Sequence, residues 1–202
     1  MPQGKRRVLG VVLCGGQSRR MGQDKSMLKA AGGQCFHQLA ADRLAQLCEQ
    51  VVLSVAHEQT IVSRYKLLTD PRESFGPITG IAQALRYAKA NGYAACCFNP
   101  VDTPDLSVNE LRQLIESHDR APGHLVCAVN DSDADRLETL ISLVPTTCLH
   151  HFEEAIADKC YRLQSVFRSV TQLTCVTLPA AACKNINTPE QLAPWMKPHA
   201  GH

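Results

Sequence analysis

Short apolar runs alternate with stretches of helical spacing, a glycine-rich loop follows the first run directly, and capping signals precede the later stretches. Together these predict an α/β fold with a mainly parallel sheet covered by helices on both faces. At 202 residues and 45% hydrophobic content the chain holds enough apolar material for one continuous core, so a single domain over 1–202 is expected.

Val8 to Cys14 reads as a buried first strand, because the run is short and ends in glycines and arginines, unlike the core of a signal peptide. Phe36, Leu39, Ala40, Leu44 and Leu47 then recur at helical spacing, and Val51 to Val55 forms a second strand. Ile78, Ile81, Ala82, Leu85 and Ala88 supply one side of a helix from about Ile78 to Ala90, ahead of a third clear strand at Ala94 to Phe98. In Ser107-Val108-Asn109-Glu110 the serine oxygen and the glutamate carboxylate each satisfy a backbone N–H at a helix start, and Val108, Leu111, Leu114 and Ile115 give that helix its apolar face. Leu125 to Val129 and Leu140 to Val144 predict strands around a polar turn, Asn130 to Asp135. Two helices are expected within His150 to Ser169, then a strand at Leu173 to Leu178. Thr188 suits a helix cap, Pro189 the first helical position, and Gln191 completes a second capping box.

The 21 Lys and Arg residues against 19 Asp and Glu leave a formal charge of +2, too balanced for binding nucleic acid or anionic membranes through bulk electrostatics. Phosphate chemistry must therefore be local. No run approaches the roughly 20 apolar residues of a membrane span. Ten cysteines occur without a Cys-x-x-Cys pair, most in apolar contexts such as Cys48, Cys127 and Cys175. They are read as reduced, mostly buried thiols of a cytoplasmic protein. Cys96 and Cys97 are adjacent on a strand and so point to opposite faces, which argues against joint metal ligation. The eight histidines form no metal-like set.

Chemistry concentrates in Leu13-Cys14-Gly15-Gly16-Gln17-Ser18-Arg19-Arg20-Met21-Gly22-Gln23-Asp24-Lys25. Glycines let the backbone approach an anion and present N–H groups to it, while Arg19, Arg20 and Lys25 offset the charge of a triphosphate. By composition alone the segment is either such a cradle or a solvated basic turn. It matches neither the Walker loop nor the Gly-x-Gly-x-x-Gly fingerprint. Asp102, in Phe98-Asn99-Pro100-Val101-Asp102-Thr103-Pro104, lies just beyond a strand's C-terminal end, where ligand sites form in open α/β sheets, although a carboxylate flanked by prolines also shapes turns. Asn185-x-Asn187 is a strand-to-helix connection whose capping role leaves room for a functional one.

With Asp70 ahead of Gly76-Pro77-Ile78-Thr79-Gly80, and Asn185-Ile186-Asn187-Thr188-Pro189-Glu190-Gln191-Leu192 near the end, these segments stand in the order of the nucleotidyltransferase superfamily. Within it, the chain resembles the molybdenum cofactor guanylyltransferases over most of its length. The resemblance implies a Rossmann-like, nucleotidyltransferase-type fold and transfer of GMP from GTP to the phosphate of molybdopterin with release of pyrophosphate. It places Mg²⁺ on Asp102, has Asp70 help hold the nucleotide, and has Leu13, Cys14 and Gly15 present backbone groups to it. Asn187 is implied as a supporting carbonyl ligand or a substrate contact. Lys25 with Asp102 would neutralise the α-phosphate, and Arg19 or Arg20 the departing pyrophosphate. Molybdoenzymes or cofactor-maturation proteins are the implied protein partners.

Three departures stand out. Cys14 replaces the usual alanine, Ser54 a common asparagine, and Arg136-Leu137-Glu138-Thr139 lacks the proline pairing usual there, which leaves the acceptor contacts open. The doubled Gly15-Gly16 and Pro77 to Gly80 resemble guanine-using members. A molybdopterin cytidylyltransferase is the nearest alternative, followed by a transferase acting on a sugar or lactyl phosphate. A catalytically silent nucleotide-binding protein is a third alternative, against which Lys25 and Asp102 argue.

Overall fold

A computed structural model of the chain describes residues 7–15, 25–30 and 32–196. The first apolar run is strand β1 (Val8–Leu13), and after a one-turn 3-10 helix at Lys25–Met27 comes α1 (Phe36–Leu44). The chain continues through β2 (Gln50–Val55), β3 (Lys66–Thr69), α2 (Pro77–Ala90), β4 (Ala95–Pro100) and α3 (Val108–Arg120). It closes with β5 (Leu125–Asn130), β6 (Asp133–Pro145), α4 (Leu149–Ala157), α5 (Leu163–Ser169), β7 (Leu173–Leu178) and α6 (Pro189–Met196). The strands form one sheet in the order β3-β2-β1-β4-β6-β5-β7. Of the seven only β6 runs antiparallel, paired with β4 on one side and β5 on the other.

Period-2 alternation divides the core. From β1, Leu9, Val11 and Leu13 meet α2, α4 and α5, while Val8 and Val12 meet α1 and α3 on the opposite face. Cys96 and Cys97 split between the two layers as neighbouring strand residues must. All ten cysteines are free thiols, eight of them buried. Burial among apolar groups pushes the Cys48 thiol up to about 12, so it packs as a small hydrophobe. Cys175 departs from expectation: it is exposed, because β7 is the outer strand of the sheet and no layer covers that side chain.

Both predicted capping boxes form. Ser107 Oγ accepts from Asn109 N at 3.1 Å and Glu110 accepts from Ser107 N at 2.9 Å, while Gln191 Oε1 accepts from Thr188 N at 3.2 Å. Two strand expectations need correction. β3 has no counterpart in the expected elements, since this four-residue edge strand buries only Leu68 well. The turn expected over Asn130 to Asp135 shrinks to Asp131 and Ser132, because Asn130 Oδ1 accepts from Ser132 N at 3.0 Å and Asp133 N at 2.8 Å and closes the hairpin early. β6 therefore starts at Asp133 with four exposed residues, three of them charged and the fourth Ala134, that carry no core-facing alternation.

Candidate active site

The chain runs from β1 outward to β3 and then crosses back to place β4 on the other side of β1. This reversal marks the space beyond the C-terminal ends of β1 and β4 as the place where open α/β sheets take ligands. Leu13 ends β1 and accepts from Val101 N at 3.3 Å, so the two strand exits stay together past the point where Pro100 has no N–H to offer. Cys14 N donates to Ser54 O at 2.9 Å, which ties the same exit to the end of β2. Gly15 lies exposed there. Gly16, Arg19 and Arg20 lie outside the described residues, and of Lys25 only the backbone is described, at the start of the 3-10 helix.

Asp70 follows β3 and is anchored by its N–H on Val55 O at 2.8 Å. Its side chain is only 7% exposed; Oδ2 accepts from Ser74 Oγ at 3.3 Å, and buried Oδ1 has no hydrogen-bond partner. Burial raises the carboxyl pKa, and the Ser74 bond offsets part of the rise. A buried acceptor without a donor is costly, and a water, an ion or a ligand can supply the missing partner. A Cβ added at Gly80, in the first turns of α2, would stand 2.5 Å from Ser54 Oγ and 3.6 Å from Asp70 Oδ1. The missing side chain at Gly80 thus brings α2 down onto β2 beside Asp70. Gly76, the cap of that helix, has φ +84°, the left-handed region that favours glycine.

Asp102, half-buried, stands two residues beyond β4. Its carbonyl accepts from Ile186 N at 2.8 Å, which draws Asn185 to Asn187 alongside it. Asn187 is exposed, with its backbone N–H donated to Gln191 Oε1 at 2.7 Å. From α1, Arg43 donates to the Thr103 carbonyl at 3.4 Å and also to the Pro104 carbonyl, pinning the loop that bears Asp102. Among the described residues no group of three or more His, Cys, Asp or Glu could hold a metal, so no closed protein cage forms there.

The structure thus brings Leu13, Cys14, Gly15, Asp70 and Asp102 to the C-terminal ends of the parallel strands β1, β3 and β4, with Asn187 joined to them through Ile186. Sequence reasoning missed Gln59, Arg43 and the Ser54–Gly80 contact, whose partners lie far off along the chain. The Gly76-to-Gly80 spacing was the one available signal for the last of these.

Fold and strand order together define an open α/β protein of the class that takes its ligands at a strand-order reversal, here between β1 and β4. The model of the MobA-like NTP transferase domain matches residues 10–174. The chain therefore belongs to the MobA-like NTP transferase family and is a nucleotidyltransferase. It is 35% identical over 193 residues, 93% of its length and 90% of the relative's, to a probable molybdenum cofactor guanylyltransferase of Rhodopirellula baltica. To a molybdenum cofactor guanylyltransferase of Mesorhizobium japonicum it is 33% identical over 168 residues, covering 81% of this chain and 79% of that one. Its fold matches the crystal structure of molybdopterin-guanine dinucleotide biosynthesis protein A from Archaeoglobus fulgidus at TM-score 0.73 and 20% identity, over 93% of this chain and 96% of the other. No helix among the described residues is long and apolar enough to cross a membrane.

Proposed function

We propose that the chain, acting as one domain, transfers GMP from GTP to the phosphate of molybdopterin. A phosphate oxygen of the acceptor forms a bond to the α-phosphorus, the bond from that phosphorus to the bridging oxygen breaks, and pyrophosphate leaves. The acceptor is already an oxyanion, so the site needs no strong base; it must hold two anions in line and lower their repulsion. The observation that carries this reading is Gly15, Asp70 and Asp102 at the C-terminal ends of β1, β3 and β4, in a chain 35% identical over 193 residues to a probable molybdenum cofactor guanylyltransferase.

Asp70 Oδ1 supplies a buried acceptor for a nucleotide donor, and the exits of β1 present backbone groups to the same ligand. Lys25 and Arg19 would meet the charge of the triphosphate. The donor set at Asp102 fits a hard divalent cation: one half-buried carboxylate, a neighbouring asparagine segment, and no further cluster among the described residues. Mg²⁺ takes few protein ligands and completes its shell with phosphate oxygens and water, so Asp102 would hold it and Asn187 would support it. When bound, the ion supplies charge neutralisation at the α-phosphate. The ten free thiols accord with a cytoplasmic location. The finished dinucleotide would pass to molybdoenzymes or cofactor-maturation proteins.

Pyrophosphate release measured with GTP or CTP, with and without molybdopterin and with Mg²⁺ or chelator, tests the reading. GTP should exceed CTP in kcat/KM by about 10²-fold, because a site built for specific hydrogen bonds leaves polar groups unpaired with the wrong base. Equal or better use of CTP would make the chain a cytidylyltransferase. GTP binding without release of pyrophosphate would make it a silent nucleotide-binding protein.

A further inference from the structure

We infer that Gln59 is a positioning residue for the transfer step, acting through Ser26 on the 3-10 helix that opens with Lys25. The inference rests on the reading of Lys25 as the cation facing the α-phosphate.

Gln59 lies between β2 and β3 and uses both ends of its amide. Its Oε1 accepts from Ala56 N at 3.1 Å; its Nε2 donates to the Cys14 carbonyl at 3.3 Å and to Ser26 Oγ at 3.1 Å. One side chain therefore joins the exit of β2, the exit of β1 and the 3-10 helix. Ser26 is fully buried, and its carbonyl is held from the other side by His37 Nδ1 of α1 at 2.7 Å. A carbonyl only accepts, so Nδ1 carries the proton. His37 is itself 1% exposed, so its grip on Ser26 is a directional bond out of water, while the Gln59 grip is half-buried.

Lysine places a point charge on a flexible stem, so the position of its ammonium depends on where its backbone is anchored. The residue after Lys25 is fixed to Cys14, one residue before Gly15 at the candidate site, by one intervening amide. Only an amide serves here, since the Ala56 N–H requires an acceptor while the Cys14 carbonyl requires a donor. A glutamate of the same shape would set a carboxylate against the Cys14 carbonyl oxygen.

The test is a double-mutant cycle on the full chain, read as pyrophosphate release with sensitivity to the residual rate of Lys25→Ala. Gln59→Glu should lower kcat roughly 10- to 100-fold with little change in KM for GTP, the size expected of a misplaced catalytic group. Ser26→Ala, which deletes one hydroxyl, should lower kcat in the same sense but less. In the Lys25→Ala background neither change should cost anything further, because the group they position is gone. Full losses again in that background, or parental kcat in both single variants, would overturn the inference. If Gln59→Glu lacks a cooperative melt, Ser26→Ala and its combination with Lys25→Ala complete the cycle. Lys25→Ala turning over at the parental rate would sink the reading of Lys25 and the inference with it; additive losses on an impaired Lys25→Ala sink the inference alone.

Discussion

Asp70→Asn should raise stability while it lowers nucleotide affinity. In the wild type a buried carboxylate holds one oxygen without a partner and the other on a 3.3 Å bond from Ser74. An unpaired buried acceptor costs about 1–3 kcal/mol, and more when charged. Asparagine keeps the shape and removes the charge but brings an amide that also wants partners, so the net gain expected is about 1 kcal/mol, or about 2–4 °C in Tm for a chain this long. The pH dependence has a definite sign. Burial raises the folded pKa above its ordinary value of 3.8, so the native state binds the proton more tightly than the unfolded chain does. Stability from this group is therefore present below the unfolded pKa and lost as pH rises through the folded one. The advantage of Asp70→Asn should be greatest at neutral pH and fade on acidification through that window. Thermal melts of both proteins across that range, with GTP titration calorimetry at pH 7, provide the measurement. Affinity should fall roughly tenfold or more if Oδ1 accepts from the nucleotide. A lower Tm for the variant at neutral pH would refute the argument from burial, and undiminished GTP affinity would refute the role in binding.

Asp102→Ala should cut turnover by about 10²-fold or more while circular dichroism and Tm stay near parental values, since the carboxylate is half-buried and the structural bond from Ile186 goes to its carbonyl. Near-parental activity in Mg²⁺ would remove Asp102 from the chemistry. Lys25→Ala should lower kcat far more than it raises KM, the pattern of an interaction strongest in the transition state; a raised KM at constant kcat would make Lys25 a binding residue. Gly80→Ala should destabilise the chain by about 1–3 kcal/mol, because its Cβ would stand 2.5 Å from Ser54 Oγ. Adding Ser54→Ala should recover most of that loss, and denaturant melts showing no recovery would locate the strain elsewhere.

Elements with a continuous or periodic apolar pattern were legible in the sequence. β1 and β4 read as strands because each is a short apolar run, in keeping with the burial of all six residues, and α3 because its capping box sits ahead of Leu111 and Leu114 at helical spacing. β3 was not, since a short edge strand with one well-buried side chain has almost no pattern. Nor was the start of β6, where the partner strand and the Asn130 turn specify extended backbone for exposed, mostly charged residues. The candidate site divides in the same way. Gly15 and Asp102 stand out because each lies two residues beyond a strand that the apolar pattern shows, whereas Asp70 follows the unforeseen β3 and stood out only through the resemblance to a family. Gln59 acts through Cys14, 45 residues away, Arg43 through Thr103 and Pro104, 60 and 61 away, and Gly80 through Ser54, 26 away, and nothing in local sequence announces such pairings.

The reversed strand β6 also bears on how the chain comes to be folded. A two-residue turn lets β5 and β6 zip together as a local hairpin, an event of microseconds. The β1–β4 pairing, by contrast, joins residues about ninety positions apart and must wait for that long loop to close. Because β6 lies between β4 and β5, the hairpin and β7 reach the rest of the sheet only through the β4–β6 seam. Topology therefore predicts that a quickly formed β5–β6 hairpin joins a β1–β4 pairing that closes slowly, so that the two strands flanking the candidate site are the last to be set side by side.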